Sequence, residues 1–159
     1  VEAIRRKVNP EIEREIGLVR TADLSQLYHM AGSAKFVIST ISLTEETRNL
    51  FDKKLFHAMD RSAFVVNVSR GAVVNENDLI EALQNGVIAG AGLDVYSREP
   101  FDQNSPLLSM KNVFATPHVA GATRQNYEGI SRTMAANLHL FKQGQMPKYC
   151  VNADSIHQF

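Results

Sequence analysis

The chain has a single cysteine, Cys150, which leaves no partner for an internal disulfide or a paired-cysteine zinc site. It also lacks a charge excess: Lys plus Arg and Asp plus Glu stand at 17 each, which removes the electrostatic case for nucleic acid or an anionic membrane. No apolar run approaches the roughly 20 residues that span a bilayer. There is no signal-peptide pattern, no internal repeat and no low-complexity tract. A reducing, cytoplasmic setting is the expectation. What is present is enough for a real core: 159 residues, 44% of them apolar. An initiator Met is also missing, and "VEAIRRK" opens inside what reads as a strand, so a preceding segment is expected.

Helical and extended patterns alternate along the chain. "VNPEIEREIG" reads as a short helix with Asn9 as cap, Pro10 in the first turn and Gly17 as terminator. "TADLSQLYHMAG" reads as a second helix closed by Gly32, and "KFVISTI" as a strand. "LTEETRNLFDKKLFHAM" reads as helical, with Thr44 and Asp52 as caps. "AFVVNV" is apolar on both faces, as a central parallel strand must be. Asn75 and Asp78 form a weak capping box ahead of the helix "ENDLIEALQNG". "VIAGAGLDV" and "NVFATP" are two further strands, and "TRQNYEGISRTMAANLHLFKQG" is a long helix. Tyr127, Ile130, Met134, Leu138 and Phe141 fall on one face of that helix and read as core residues. This order predicts an α/β fold with a parallel sheet, in which ligands bind beyond the carboxyl ends of the strands.

Three successive strands end in chemistry. "VVNV" runs into Arg70, "AGLDV" into Asp94 with Glu99 just beyond, and "VFAT" into Pro117-His118. Parallel strands put those ends on one edge, so the four side chains can converge. An arginine fork holds a carboxylate through two hydrogen bonds. A histidine exchanges a proton near neutral pH, and a carboxylate beside it favours the protonated ring and fixes its direction. The set suits reduction of a 2-keto acid: Arg70 holds the acid, His118 protonates the carbonyl oxygen and Glu99 supports His118. The hydride must come from a cofactor, because no side chain supplies one.

"NVSRGAVVNENDLIEAL", "GAGLDVYSREP" and "TPHVAGAT", in this order and spacing, resemble the NAD(P)-dependent D-isomer-specific 2-hydroxyacid dehydrogenases. The resemblance covers about residues 1–152. It implies a Rossmann-like, doubly wound parallel sheet, with residues 1–122 as a partial NAD(P)-binding domain and 123–159 as a long helix and C-terminal segment. It implies Arg70, Glu99 and His118 as the catalytic set, and Asp94 as a partner of the nicotinamide carboxamide. Thr40, Ile41, Ser42, Val68, Ser69, Arg70, His118, Ala120 and Gly121 would line the cofactor. It further implies a homodimer and a small 2-keto or 2-hydroxy acid substrate, with glyoxylate, hydroxypyruvate and phosphoglycerate as candidates. Arg5 and Arg6 follow a short strand where enzymes that prefer NAD carry an acid, which leans toward NADP.

The chain departs from that family pattern in two ways. The G-x-G-x-x-G turn that cradles pyrophosphate is absent, and "GAG" at 90–92 lies inside a strand with no helix opening after it. Most of the substrate domain is absent as well. The fold is therefore expected to be incomplete, without its first strand, and the isolated chain to be inactive. A dinucleotide-sensing interaction module like the related corepressors remains the alternative to an enzyme. A formate-oxidising relative is disfavoured, because that branch has glutamine where this chain has Glu99. His29, His57, His139, His157 and Cys150 have no comparable setting and carry no role.

Overall fold

The computed structural model describes residues 1–6 and 14–155. The predicted cap Asn9, the predicted first-turn residue Pro10, and His157 lie outside the described residues; residues 14–16 are helical, and Gly17 follows them. The chain divides into two compact units, Val1–His118 and Val119–Phe159.

Six strands and four α-helices carry the argument. In the first unit, β1 (Glu2–Ile4) pairs in parallel with β2 (Arg20–Ala22). A second, four-stranded parallel sheet has the order β3 (Phe36–Ser39), β4 (Phe64–Asn67), β5 (Gly90–Leu93), β6 (Val113–Ala115). Helices α1 (Leu27–Ser33), α2 (Lys53–Ala58) and α3 (Glu76–Gln84) connect or precede these strands. The expected α/β parallel architecture is present, as two sheets: among the described residues β1 and β3 each keep one edge without a strand partner.

Apolar spacing explains the packing. Leu79, Ala82 and Leu83 repeat at three and four residues along α3, and all three are buried. They join Leu55, Phe56, Ala63, Val65, Val73, Ile88 and Leu107 in one cluster. Each such Leu, Ile or Val, fully buried, contributes roughly 1.5–3 kcal/mol. β4 lies between β3 and β5, which makes "AFVVNV" the inner strand its sequence predicts.

Caps set the helix starts. Asp52 Oδ1 accepts from the Leu55 N–H at 2.9 Å, and Asp78 Oδ2 accepts from the Lys53 N–H at 2.9 Å, so two carboxylates serve the first turn of α2. The Asn75 side chain accepts from the Asp78 N–H at 3.2 Å. The predicted box works in that direction, while the Asp78 side chain is turned to α2. α3 gives way to Gly86 at φ +61, a conformation glycine adopts without a Cβ penalty.

Three expectations are corrected. Thr21 and Ala22 end β2 instead of opening a helix, because they find a parallel partner in β1; α1 begins at Leu27 and runs past Gly32 to Ser33. Thr44 does not cap a helix. The Thr44 N–H donates to Thr47 Oγ1 at 2.7 Å, and that hydroxyl donates to the Ser42 carbonyl at 2.8 Å. Local hydroxyl bonds of this kind compete with helix formation, and residues 45–49 are a run of turns. The third correction concerns the second unit. Its helix α4 (Arg124–Lys142) is capped by Thr123, whose Oγ1 accepts from the Asn126 N–H at 3.2 Å. Tyr127, Ile130, Met134, Leu138 and Phe141 are each more than half exposed, not core. Periodicity gathers them on one face, but no described element of their own unit covers it.

Candidate active site

Arg70 leaves β4 by way of Val68 and Ser69. Its Nη1 donates to the Ser69 carbonyl at 2.7 Å, and the side chain is exposed. The next residue has to be glycine for a spatial reason. A Cβ on Gly71 would lie 1.7 Å from the Tyr96 carbonyl oxygen and 2.6 Å from the Ser97 nitrogen. The loop after β4 thus rests directly on the backbone of the loop after β5, which leads to Glu99.

Glu99 is held at two points. Its Oε1 accepts from the Tyr96 N–H at 3.2 Å, and its Oε2 lies 2.7 Å from His118 Nδ1. The bond from His118 holds the Glu99 carboxyl below the usual glutamate range. The Tyr96 N–H and the charges of His118 and Arg70 act in the same direction, against partial desolvation. His118 sits at φ +55, in the left-handed region, and its N–H donates to the Thr116 carbonyl at 3.1 Å. A non-glycine residue there costs roughly 1–3 kcal/mol and persists only where its surroundings enforce it.

Asp94 is buried at the end of β5. Its Oδ1 accepts from Thr116 Oγ1 at 2.5 Å, and its N–H donates to the Asn67 carbonyl at 3.0 Å. Tyr96 braces the same corner, donating its hydroxyl to the Thr116 carbonyl at 2.7 Å and the Leu93 carbonyl at 3.2 Å. Burial pushes the Tyr96 phenol up, with the Asp94 charge adding to it.

A pocket of about 420 Å³ opens between the ends of β3 and β4. Thr40, Ile41, Ser42 and Leu43 line one side, and Val68, Ser69 and Arg70 the other. This is the strand-end crevice where open α/β sheets take ligands. Its hydroxyls and backbone groups suit the polar nicotinamide end of a dinucleotide. No residue of the chain supplies a glycine-rich pyrophosphate cradle.

The structure therefore brings Glu99 and His118 into contact, with Arg70 on the neighbouring loop, and puts Thr40, Ile41, Ser42, Val68, Ser69 and Arg70 around one pocket. Ala120 and Gly121 open the second unit and are not among the lining residues. Arg5 is half-buried and Arg6 exposed, directly after β1. Sequence reasoning missed Ser39, Asn67, Gly71, Tyr96 and Thr116. Of these Asn67 carried a signal, as a polar residue inside the apolar run of an inner strand.

The family model described as "D-isomer specific 2-hydroxyacid dehydrogenase, NAD binding domain" matches residues 3–120, and the chain belongs to that family. A glyoxylate reductase of Thermococcus kodakarensis is 38% identical over 151 residues, covering 95% of this chain and 44% of that protein. The solved NADPH-dependent glyoxylate/hydroxypyruvate reductase of Sinorhizobium meliloti, in complex with NADP and sulfate, superposes with TM-score 0.80 at 29% identity. It covers 96% of this chain and 48% of that one. A D-isomer specific 2-hydroxyacid dehydrogenase of Lactobacillus delbrueckii ssp. bulgaricus, in its NAD complexed form, superposes with TM-score 0.82 at 28% identity, covering 96% and 48%. The chain thus spans less than half the length of the curated relatives it matches first. Of these two solved structures, one is a complex with NADP and the other with NAD.

Proposed function

We propose that the protein carrying this chain is a nicotinamide-dependent reductase of small 2-keto acids, taking glyoxylate to glycolate and hydroxypyruvate to D-glycerate. The observation that carries the reading is the Glu99–His118 pair, 2.7 Å apart at the strand ends where Arg70 also emerges. Arg70 grips the substrate carboxylate with its planar fork. Glu99 engages Nδ1 of His118, so Nε2 is the nitrogen that gives a proton to the carbonyl oxygen. The His118 side chain is 47% exposed, which leaves the ring accessible to a substrate. When bound, the nicotinamide supplies the hydride. Thr40, Ile41, Ser42, Val68 and Ser69 would hold that end of the cofactor, with Asp94 and the Ala120-Gly121 turn as further contacts. Arg5 and Arg6, after β1, support a preference for NADP through its 2′-phosphate. A homodimer in the cytoplasm belongs to the same reading.

The test is oxidation of NADPH and NADH by the whole protein with glyoxylate and with hydroxypyruvate. The reading predicts turnover of both acids, faster with NADPH. Dinucleotide binding without turnover of either acid would contradict it and favour the sensing module.

A further inference from the structure

Beneath the pocket, three buried polar side chains from two strands and a loop form one hydrogen-bonded clasp. Ser39 and Asn67 are each 1% exposed and Ser69 6%. Ser39 and Asn67 are register partners, the last residues of β3 and β4. Ser69 Oγ donates to Asn67 Oδ1 at 2.8 Å, and the Ser69 N–H donates to the same oxygen at 3.1 Å. Asn67 Nδ2 donates to the Arg70 carbonyl at 3.1 Å. Ser39 Oγ lies 2.7 Å from Ser69 Oγ.

The protons in this set have one consistent arrangement. A carbonyl oxygen only accepts, so the Asn67 amide must present Nδ2 to Arg70 and Oδ1 to Ser69. Ser69 Oγ therefore spends its proton on Oδ1, which leaves Ser39 as donor to Ser69. The chain Ser39 to Ser69 to Asn67 to the Arg70 carbonyl is directional and closed. Buried polar groups held in this way fix one geometry, and a half-satisfied set would be costly. Nothing in packing alone asks for an asparagine in an inner strand beside Val65.

We infer that Asn67, backed by Ser39, is a positioning residue for Arg70: it clamps the Ser69-Arg70 backbone from below and so sets where the guanidinium meets the substrate carboxylate. The inference rests on the keto-acid role proposed for Arg70. Asn67 itself touches no substrate.

The test uses the whole protein. Asn67→Asp keeps the shape and the acceptor and loses the donor to Arg70. KM for glyoxylate should rise about tenfold, the effect of one lost buried hydrogen bond, while the NADPH dissociation constant stays within about twofold. In an Arg70→Ala background the same change should leave the residual KM unaltered, because the residue it acts through is gone. NMR relaxation at the Arg70 Nε, identified by its loss in Arg70→Lys, should show the side chain loosened in Asn67→Asp. Ser39→Ala should show the same effects more weakly, and it decides the matter if Asn67→Asp does not fold. Effects that simply add to those of Arg70→Ala, or an Arg70 Nε equally ordered in a folded variant, would overturn the inference. A wild-type protein that turns over no keto acid would overturn the proposed function instead, and the relaxation measurement would still decide whether the clasp orders Arg70.

Discussion

At the scale of single residues, Glu99 is the informative group. Its carboxyl is held below the ordinary glutamate range, chiefly by the bond from His118. A carboxylate with a lowered folded pKa contributes fully above its unfolded pKa, and the contribution is lost as pH falls through the folded value. Glu99 is therefore charged throughout the neutral range. Glu99→Gln should lower kcat for keto-acid reduction by about tenfold or more. An unchanged kcat would mean that the pair has no part in proton transfer. The position of Arg70, Asp94, Glu99 and His118 beyond strand ends was legible in the sequence, because apolar runs mark the strands and parallel strands share one edge. The clasp was legible only in half. Asn67 stands out in "VVNV", but Ser39 becomes its partner through a register between strands that the sequence does not display.

At the scale of elements, the contact between loops decides the site. The chain after β4 crosses the chain after β5 with no room for a side chain at residue 71. Gly71→Ala must separate the two loops, so it should destabilise by about 1–3 kcal/mol, seen as a lower Tm, and raise KM for the keto acid as well. A variant with wild-type Tm and KM would show that the crossing is not needed. The strands were the most readable elements, since β3, β4, β5 and β6 all fall inside the predicted apolar runs. The misread pieces share a cause. Thr21 and Ala22 became part of a strand through pairing with β1, and residues 45–49 became turns, with the Thr47 hydroxyl bonded to the Ser42 carbonyl. In both places an interaction across or against the local pattern outweighed helix propensity.

At the scale of the whole molecule, the chain belongs to the dehydrogenase family but spans less than half of its first relatives. Among the described residues its two parallel sheets, β1-β2 and β3-β4-β5-β6, are both open at their edges. The exposed apolar face of α4 belongs to the same scale: periodicity told which residues lie together, but what covers a face is not written in the helix that bears it. The central claim is that His118, steered by Glu99, gives the proton while a bound nicotinamide gives the hydride. It is tested most directly by His118→Gln in the whole protein, with NADPH affinity and turnover measured separately. The account predicts an NADPH dissociation constant close to wild type and a kcat lower by roughly 10²–10⁴, the usual worth of general acid catalysis. A variant that turns over glyoxylate within about twofold of wild type would contradict it.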